Sequence, residues 1–237
     1  MKRIIYMVFK NTFSAIYLWV KLCYYAKHVE KYTEEQRYML LRKIVSKANS
    51  GGRVHIDIHG EENIPKEKGF MFFPNHQGLY DVLAIADACS TPFSVVAKKE
   101  VQNVPFLKQV FSCMNAYLID RNDIRQAMQV IVDVTKEVQN GKNYLIFPEG
   151  TRSKQGNKVG EFKGGSFKAA MKAKCPIVPI ALVDAYIPFD RNTIEPVTVQ
   201  VHFLEPLVYD QYKDMKSVEI AKCVQDRIVN TIQSSVC

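Results

Sequence analysis

Hydrophobic and polar positions follow two rhythms along this chain. Residues 3–29 contain no Pro or Gly and are rich in Ile, Val, Leu, Phe and Tyr. At 100° per residue, Arg3, Lys10, Ser14, Lys21 and His28 share one stripe, Tyr6, Tyr17 and Tyr24 flank it, and the rest of the circumference is apolar. The pattern predicts one helix. A second is expected over residues 34–49, with Tyr38, Leu41, Val45 and Ala48 as its apolar stripe and Gly51-Gly52 as its stop.

From Arg53 the period changes. Residues 54–59 alternate strictly, and apolar runs at 70–73, 93–97, 117–119, 144–147, 177–183 and 197–203 read as strands. Helical windows lie between them at 82–88, 104–113, 124–140, 165–173 and 217–234. The clearest is 124–140, with Met128, Ile131, Val132 and Val138 on its apolar face. This order predicts an α/β fold: a single domain with a largely parallel mixed sheet flanked by helices, preceded by an N-terminal helix pair. The division falls at residues 1–50 and 51–237. In such sheets, sites form at the carboxyl ends of strands.

Charge sharpens that division. The 237 residues carry 32 Lys+Arg against 24 Asp+Glu. Ten basic and three acidic side chains fall in residues 1–50, which leaves a nearly balanced 22 against 21 for the remainder. The basic excess is therefore local and points to an anionic surface. A nearly neutral body without a nucleic-acid module argues against a nucleic-acid partner.

A bilayer span needs roughly 20 apolar residues. Only ten separate Lys10 from Lys21, and Asn11, Thr12 and Ser14 are among them. Two placements fit the first helix: it lies in the membrane interface with its lysines snorkelling to headgroups and its tyrosines at their level, or it packs on the domain. The six cysteines include no C-x-x-C pair, which favours reduced thiols over a disulfide framework or a zinc site. No spacing calls for a metal.

Candidate chemistry lies at strand ends. In Pro74-Asn75-His76-Gln77-Gly78-Leu79-Tyr80-Asp81, a His and an Asp stand five apart. On one regular helix they would point about 140° apart, so they meet only if His76 sits in the loop and Asp81 in the first helical turn. A carboxylate there also suits the helix dipole and would orient the imidazole as a base. Phe147-Pro148-Glu149-Gly150-Thr151-Arg152-Ser153 follows another apolar run and offers a carboxylate, a flexible glycine, a hydroxyl and an arginine suited to phosphate. Asp120-Arg121 and Val178-Pro179-Ile180 follow or lie within two further strands.

Together these segments resemble the glycerolipid acyltransferase family. Asn75-His76-x4-Asp81 matches its first block, Asp120-Arg121 fits the second, Phe147–Ser153 reproduces the third, and Val178-Pro179-Ile180 fits the fourth. Phe162-Lys163-Gly164-Gly165 fits a further family stretch. Two departures stand out: Gly78 replaces a frequent Ser, and Asn115 replaces a common Gly.

The resemblance implies transfer of an acyl group from a thioester, acyl-CoA or acyl carrier protein, to the sn-2 hydroxyl of 1-acylglycerol-3-phosphate, giving phosphatidic acid, with no bound cofactor. His76 is the implied base and Asp81 its orienter. Arg121, Arg152 and Lys98 are expected on the acceptor phosphate, with Glu149, Gly150 and Thr151 in the substrate site and backbone N–H groups near Gly150 on the oxyanion. The implied partners are an anionic membrane surface, a lysophospholipid acceptor and the acyl donor. The implied location is membrane-associated, monotopic or peripheral, on the cytoplasmic face. Glycerol-3-phosphate or another lysolipid is the alternative acceptor, and a non-catalytic lipid-binding module the alternative outside catalysis.

Overall fold

A computed structural model describes residues 2–120 and 122–235. In chain order the elements are α1 (Lys2–Lys10), α2 (Thr12–Lys27), α3 (Glu34–Gly52), β1 (Val54–His59), β2 (Met71–Pro74), α4 (Asp81–Ala88), β3 (Ser94–Lys98), α5 (Leu107–Cys113), β4 (Tyr117–Ile119), α6 (Ile124–Gln139), β5 (Tyr144–Ile146), α7 (Lys168–Ala173), β6 (Ile177–Val183), α8 (Ile187–Asp190), β7 (Val197–Phe203), α9 (Tyr209–Tyr212) and α10 (Ser217–Ser235).

One seven-stranded sheet has the order β1-β7-β6-β2-β5-β3-β4. Every pairing is parallel except β6 with β7. The α/β fold with a largely parallel mixed sheet, expected from the alternation, is what forms. Helices cover both faces, so the central strands are apolar throughout rather than alternating. Phe70 and Phe72 pack with Tyr38, Leu41, Ile85 and Phe93 on one side. Met71 and Phe73 pack with Val134, Phe167, Val224 and Ile228 on the other.

Two local expectations fail for physical reasons, and a third holds only in part. The helix over 3–29 breaks at Asn11, whose side-chain amide donates to Met7 O (2.9 Å) and Lys47 O (3.1 Å) in competition with the helix backbone. Gly51 and Gly52 do not stop α3, which runs through both and ends at Arg53 in a left-handed conformation (φ 55°). A Cβ at Gly51 would lie 2.1 Å from the Asn11 amide, and one at Gly52 would lie 2.4 Å from Met7. The glycines let α1 approach α3. In α6 the expected face holds in part: Val138 is buried and Ile131 packs against the core, Val130 and Val134 join them, and Met128 is exposed.

Arg3 is also not on an outward polar stripe. It is fully buried, and its guanidinium donates to Gly52 O at 2.6 Å and Glu195 O at 2.7 Å. The first two helices therefore have two apolar sides. Met7, Leu18 and Leu22 face the body, whereas Ile5, Phe9, Phe13, Ile16 and Val20 are exposed, Phe13 at 94%. Among the described residues, no helix is long and apolar enough to cross a membrane.

Candidate active site

The parallel strands β2, β5 and β6 lie side by side at the centre of the sheet, so the loops leaving their carboxyl ends converge. After β2, Asn75 bolts its loop to β6: its Nδ2 donates to Leu182 O (3.1 Å) and its Oδ1 accepts from Leu182 N (2.7 Å). His76 follows in the loop and Asp81 opens α4, as the five-residue spacing requires.

The imidazole Nδ1 lies 2.7 Å from Asp81 Oδ2. That oxygen also accepts from Gln77 N (2.6 Å) and Gly78 N (3.0 Å), and Oδ1 lies 3.0 Å from the same Gly78 N–H. Asp81 is fully buried and accepts only, so His76 donates through Nδ1 and keeps Nε2 as its acceptor. The ring stacks on Phe147 at 3.9 Å, and the His76 side chain remains about one-fifth exposed. A buried carboxylate, one fixed tautomer and a partly accessible Nε2 make a group competent to take a proton.

After β5, Glu149 turns inward. Its Oε1 accepts from His76 N at 2.7 Å and its Oε2 from Gly160 N at 3.1 Å. Burial pushes its carboxyl above the ordinary range, opposed by those two N–H groups. Ser153 N donates to His76 O at 2.9 Å, a second tie between the two loops.

Two cavities flank the His76 loop. Leu79 and Tyr80 line an apolar one of about 550 Å³, closed on its far side by Met7, Leu18 and Leu22 of the N-terminal helices. Gln77 lines a polar cleft of about 670 Å³ together with Arg152, Lys154, Asp190 and Arg191. The α8 turn divides them, with Phe189 on the apolar side and Asp190 on the polar side.

The acyltransferase family model matches residues 55–183, more than half of the chain, including the loops after β2 and β5 and ending where β6 ends. The chain belongs to the acyltransferase family. Its acyltransferase relatives include a Borreliella burgdorferi protein named 1-acyl-sn-glycerol-3-phosphate acyltransferase, 30% identical over 76% of this chain and 73% of that protein. Proteins of the same name from Saccharomyces cerevisiae and Escherichia coli are 29% and 32% identical; the chain spans only 60% and 63% of their lengths. The fold matches the crystal structure of the 1-acyl-sn-glycerophosphate (LPA) acyltransferase PlsC from Thermotoga maritima, with a TM-score of 0.80 and 22% identity over 99% of this chain and 97% of that one.

Within this acyltransferase, the residues singled out from the sequence are placed unevenly. His76 and Asp81 pair across one loop without lining the cleft themselves, and Arg152 lines the cleft beside Gln77 of that loop. Glu149 braces that loop through backbone N–H groups and does not line the cleft. Lys98 ends β3, pairs with Glu100 at 2.8 Å and does not line the cleft either. Gly150 takes a positive φ of 69°, and its own N–H donates to Phe147 O, so it is not available to an oxyanion. Thr151 is exposed. Arg121 lies outside the described residues.

Sequence reading missed Gln77, Lys154, Tyr186, Asp190 and Arg191. Gln77 is one of the four unassigned positions between His76 and Asp81, and the α8 turn follows a strand that reads simply as core. The departures now have a setting. A Cβ at Gly78 would lie 3.1 Å from Asp190 Oδ2, and Asn115 holds a left-handed φ of 54° that glycine adopts more easily. His59 and His202 stack on each other at 4.3 Å on β1 and β7, at the sheet edge away from the site.

Proposed function

We propose that this acyltransferase moves a fatty acyl group from a thioester, acyl-CoA or acyl carrier protein, to the sn-2 hydroxyl of 1-acylglycerol-3-phosphate, forming phosphatidic acid for phospholipid synthesis at a membrane surface. The observation that carries the reading is that the His76–Asp81 pair spans a loop whose Gln77 lines a cationic cleft and whose Leu79 and Tyr80 line an apolar cavity. An amphipathic substrate with an acyl chain and a phosphate needs both. The names of the relatives agree with it.

In this mechanism His76 Nε2 takes the proton of the acceptor hydroxyl as its oxygen attacks the thioester carbonyl. Asp81 holds the resulting imidazolium. The tetrahedral adduct then collapses: the carbon–sulfur bond breaks, and the departing thiolate takes the proton from His76. The ester is formed and the thiol released, with no acyl-enzyme in between. Arg152 contacts the acceptor phosphate through charge-assisted hydrogen bonds.

Membrane association follows from the N-terminal helices. Ile5, Phe9, Phe13 and Val20 present an apolar face outward, and Lys10 and Lys21 stand near it. Such a face favours insertion into one leaflet, and each basic residue near an anionic surface adds about 1 kcal/mol.

The test is acyl transfer to a panel of lysophosphatidic acid, glycerol-3-phosphate, lysophosphatidylcholine and monoacylglycerol, with both donor types and mass analysis of the lipids. Phosphatidic acid is the expected main product, lost in His76→Ala. Failure to acylate lysophosphatidic acid with either donor would refute the assignment.

A further inference from the structure

The polar cleft contains more positive charge than the family blocks supply. Arg152, Lys154 and Arg191 line it with a single carboxylate, Asp190. Arg152 acts electrostatically on Asp190, but among the described residues none of the three cations forms a salt bridge within 4.0 Å. Three cations and one acid leave a net charge that matches a phosphate monoester dianion.

Arg191 is held in place. Its guanidinium carbon lies 5.5 Å over the Tyr186 ring, and its Nη2 donates to Tyr186 Oη at 3.4 Å. The same phenol stands against Gly156, where a Cβ would lie 3.4 Å from it, so Tyr186 is wedged between Arg191 and the 153–157 loop.

That loop is bolted to the turn after β6. Asn157 Nδ2 donates to Asp184 Oδ1 (3.0 Å), and Asp184 N donates to Asn157 Oδ1 (2.8 Å). Gln77 joins both, donating to Asn157 Oδ1 (2.9 Å) and accepting from Ala185 N (2.8 Å). Gly78 completes the assembly. A Cβ there would lie 3.1 Å from Asp190 Oδ2 and 3.2 Å from Tyr186 Cα. The missing side chain lets the turn that bears Arg191 pack directly on the loop that bears His76.

We infer that Arg191 is a second phosphate-binding side chain of the acceptor cleft, selecting a phosphate monoester over a diester. This rests on the lysophosphatidic acid reading above. A monoester presents three terminal oxygens and up to two negative charges, enough for two guanidinium contacts; a diester presents two oxygens and one charge, which one arginine satisfies.

The test is steady-state kinetics of Arg191→Gln and Arg191→Lys in the full chain, with inorganic phosphate as a competitive probe. Arg191→Gln should raise KM for lysophosphatidic acid about ten-fold, equivalent to ~1.4 kcal/mol, and weaken inhibition by phosphate to match. It should leave kcat and the donor KM within about two-fold, and narrow the preference over lysophosphatidylcholine, as expected when uniform binding is lost. Arg191→Lys should recover part of the affinity. Because Arg191 is exposed, an unchanged Tm is the folding control. An acceptor KM unchanged in Arg191→Gln, or a parallel rise in donor KM, overturns this inference alone. A wild-type enzyme inactive on lysophosphatidic acid overturns both this inference and the reading beneath it.

Discussion

Replacing Asp81 with Asn keeps the size of the side chain and removes its charge, and the geometry states what must follow. Asp81 Oδ2 collects three donors, His76 Nδ1 at 2.7 Å, Gln77 N at 2.6 Å and Gly78 N at 3.0 Å, and Oδ1 lies 3.0 Å from Gly78 N. A carboxamide has one oxygen and one NH2 group. If the oxygen replaces Oδ2, the NH2 opposes the Gly78 N–H. If it replaces Oδ1, the NH2 meets both His76 Nδ1 and Gln77 N–H, and the imidazole must accept through Nδ1, which places its hydrogen on Nε2 and abolishes the base. In either orientation the imidazolium loses its buried counter-charge.

One opposed donor in a buried site costs about 1–3 kcal/mol, which for a chain of this size lowers Tm by about 2–12 °C. Loss of tautomer and counter-charge should lower kcat by about 10³–10⁴, or ~4–5.5 kcal/mol of transition-state stabilisation. The assay is the initial rate of thiol release at saturating acceptor, paired with a thermal melt. A folded Asp81→Asn enzyme with kcat within about ten-fold of the wild type would refute the pairing as the source of catalysis.

Two further substitutions probe the N-terminal helices. Phe9→Ser with Phe13→Ser removes two exposed rings; at about 1.5–3 kcal/mol for each buried ring, binding to vesicles containing anionic lipid should fall at least about 100-fold with Tm unchanged, and unaltered sedimentation with vesicles would contradict interfacial insertion. Arg3→Met deletes the contacts to Gly52 O and Glu195 O; a loss of about 3 kcal/mol should lower Tm by about 6–12 °C and speed proteolysis within residues 2–27, and a variant unchanged in both would show that Arg3 does not hold α1 to the body.

The strand runs and the His76–Asp81 spacing were legible because they depend on short-range rules. A strand buried on both faces must be continuously apolar, and a five-residue spacing across a loop–helix junction has essentially one productive geometry. Glu149 was visible as a residue, but its job was not. Nothing local says that its two oxygens face the N–H groups of His76 and Gly160, 73 and 11 residues away. The Gly51-Gly52 pair misled for the same reason: glycine ends helices, but it also lets another helix approach, and only the packing of Met7 and Asn11 distinguishes the two.

By itself the sequence determined the α/β class and the boundary of the basic segment, because periodicity and composition are properties of the chain alone, and its resemblance to glycerolipid acyltransferases marked the motif residues. Tertiary structure decided the rest. It buried Arg3, which the sequence placed on one stripe with Lys10 and Lys21, turned Lys98 toward Glu100, and brought Gln77, Asp190 and Arg191 into one cleft from loops about a hundred residues apart. Which side chains share a cavity depends on strand order, and strand order is fixed by the collective burial of both faces of the sheet.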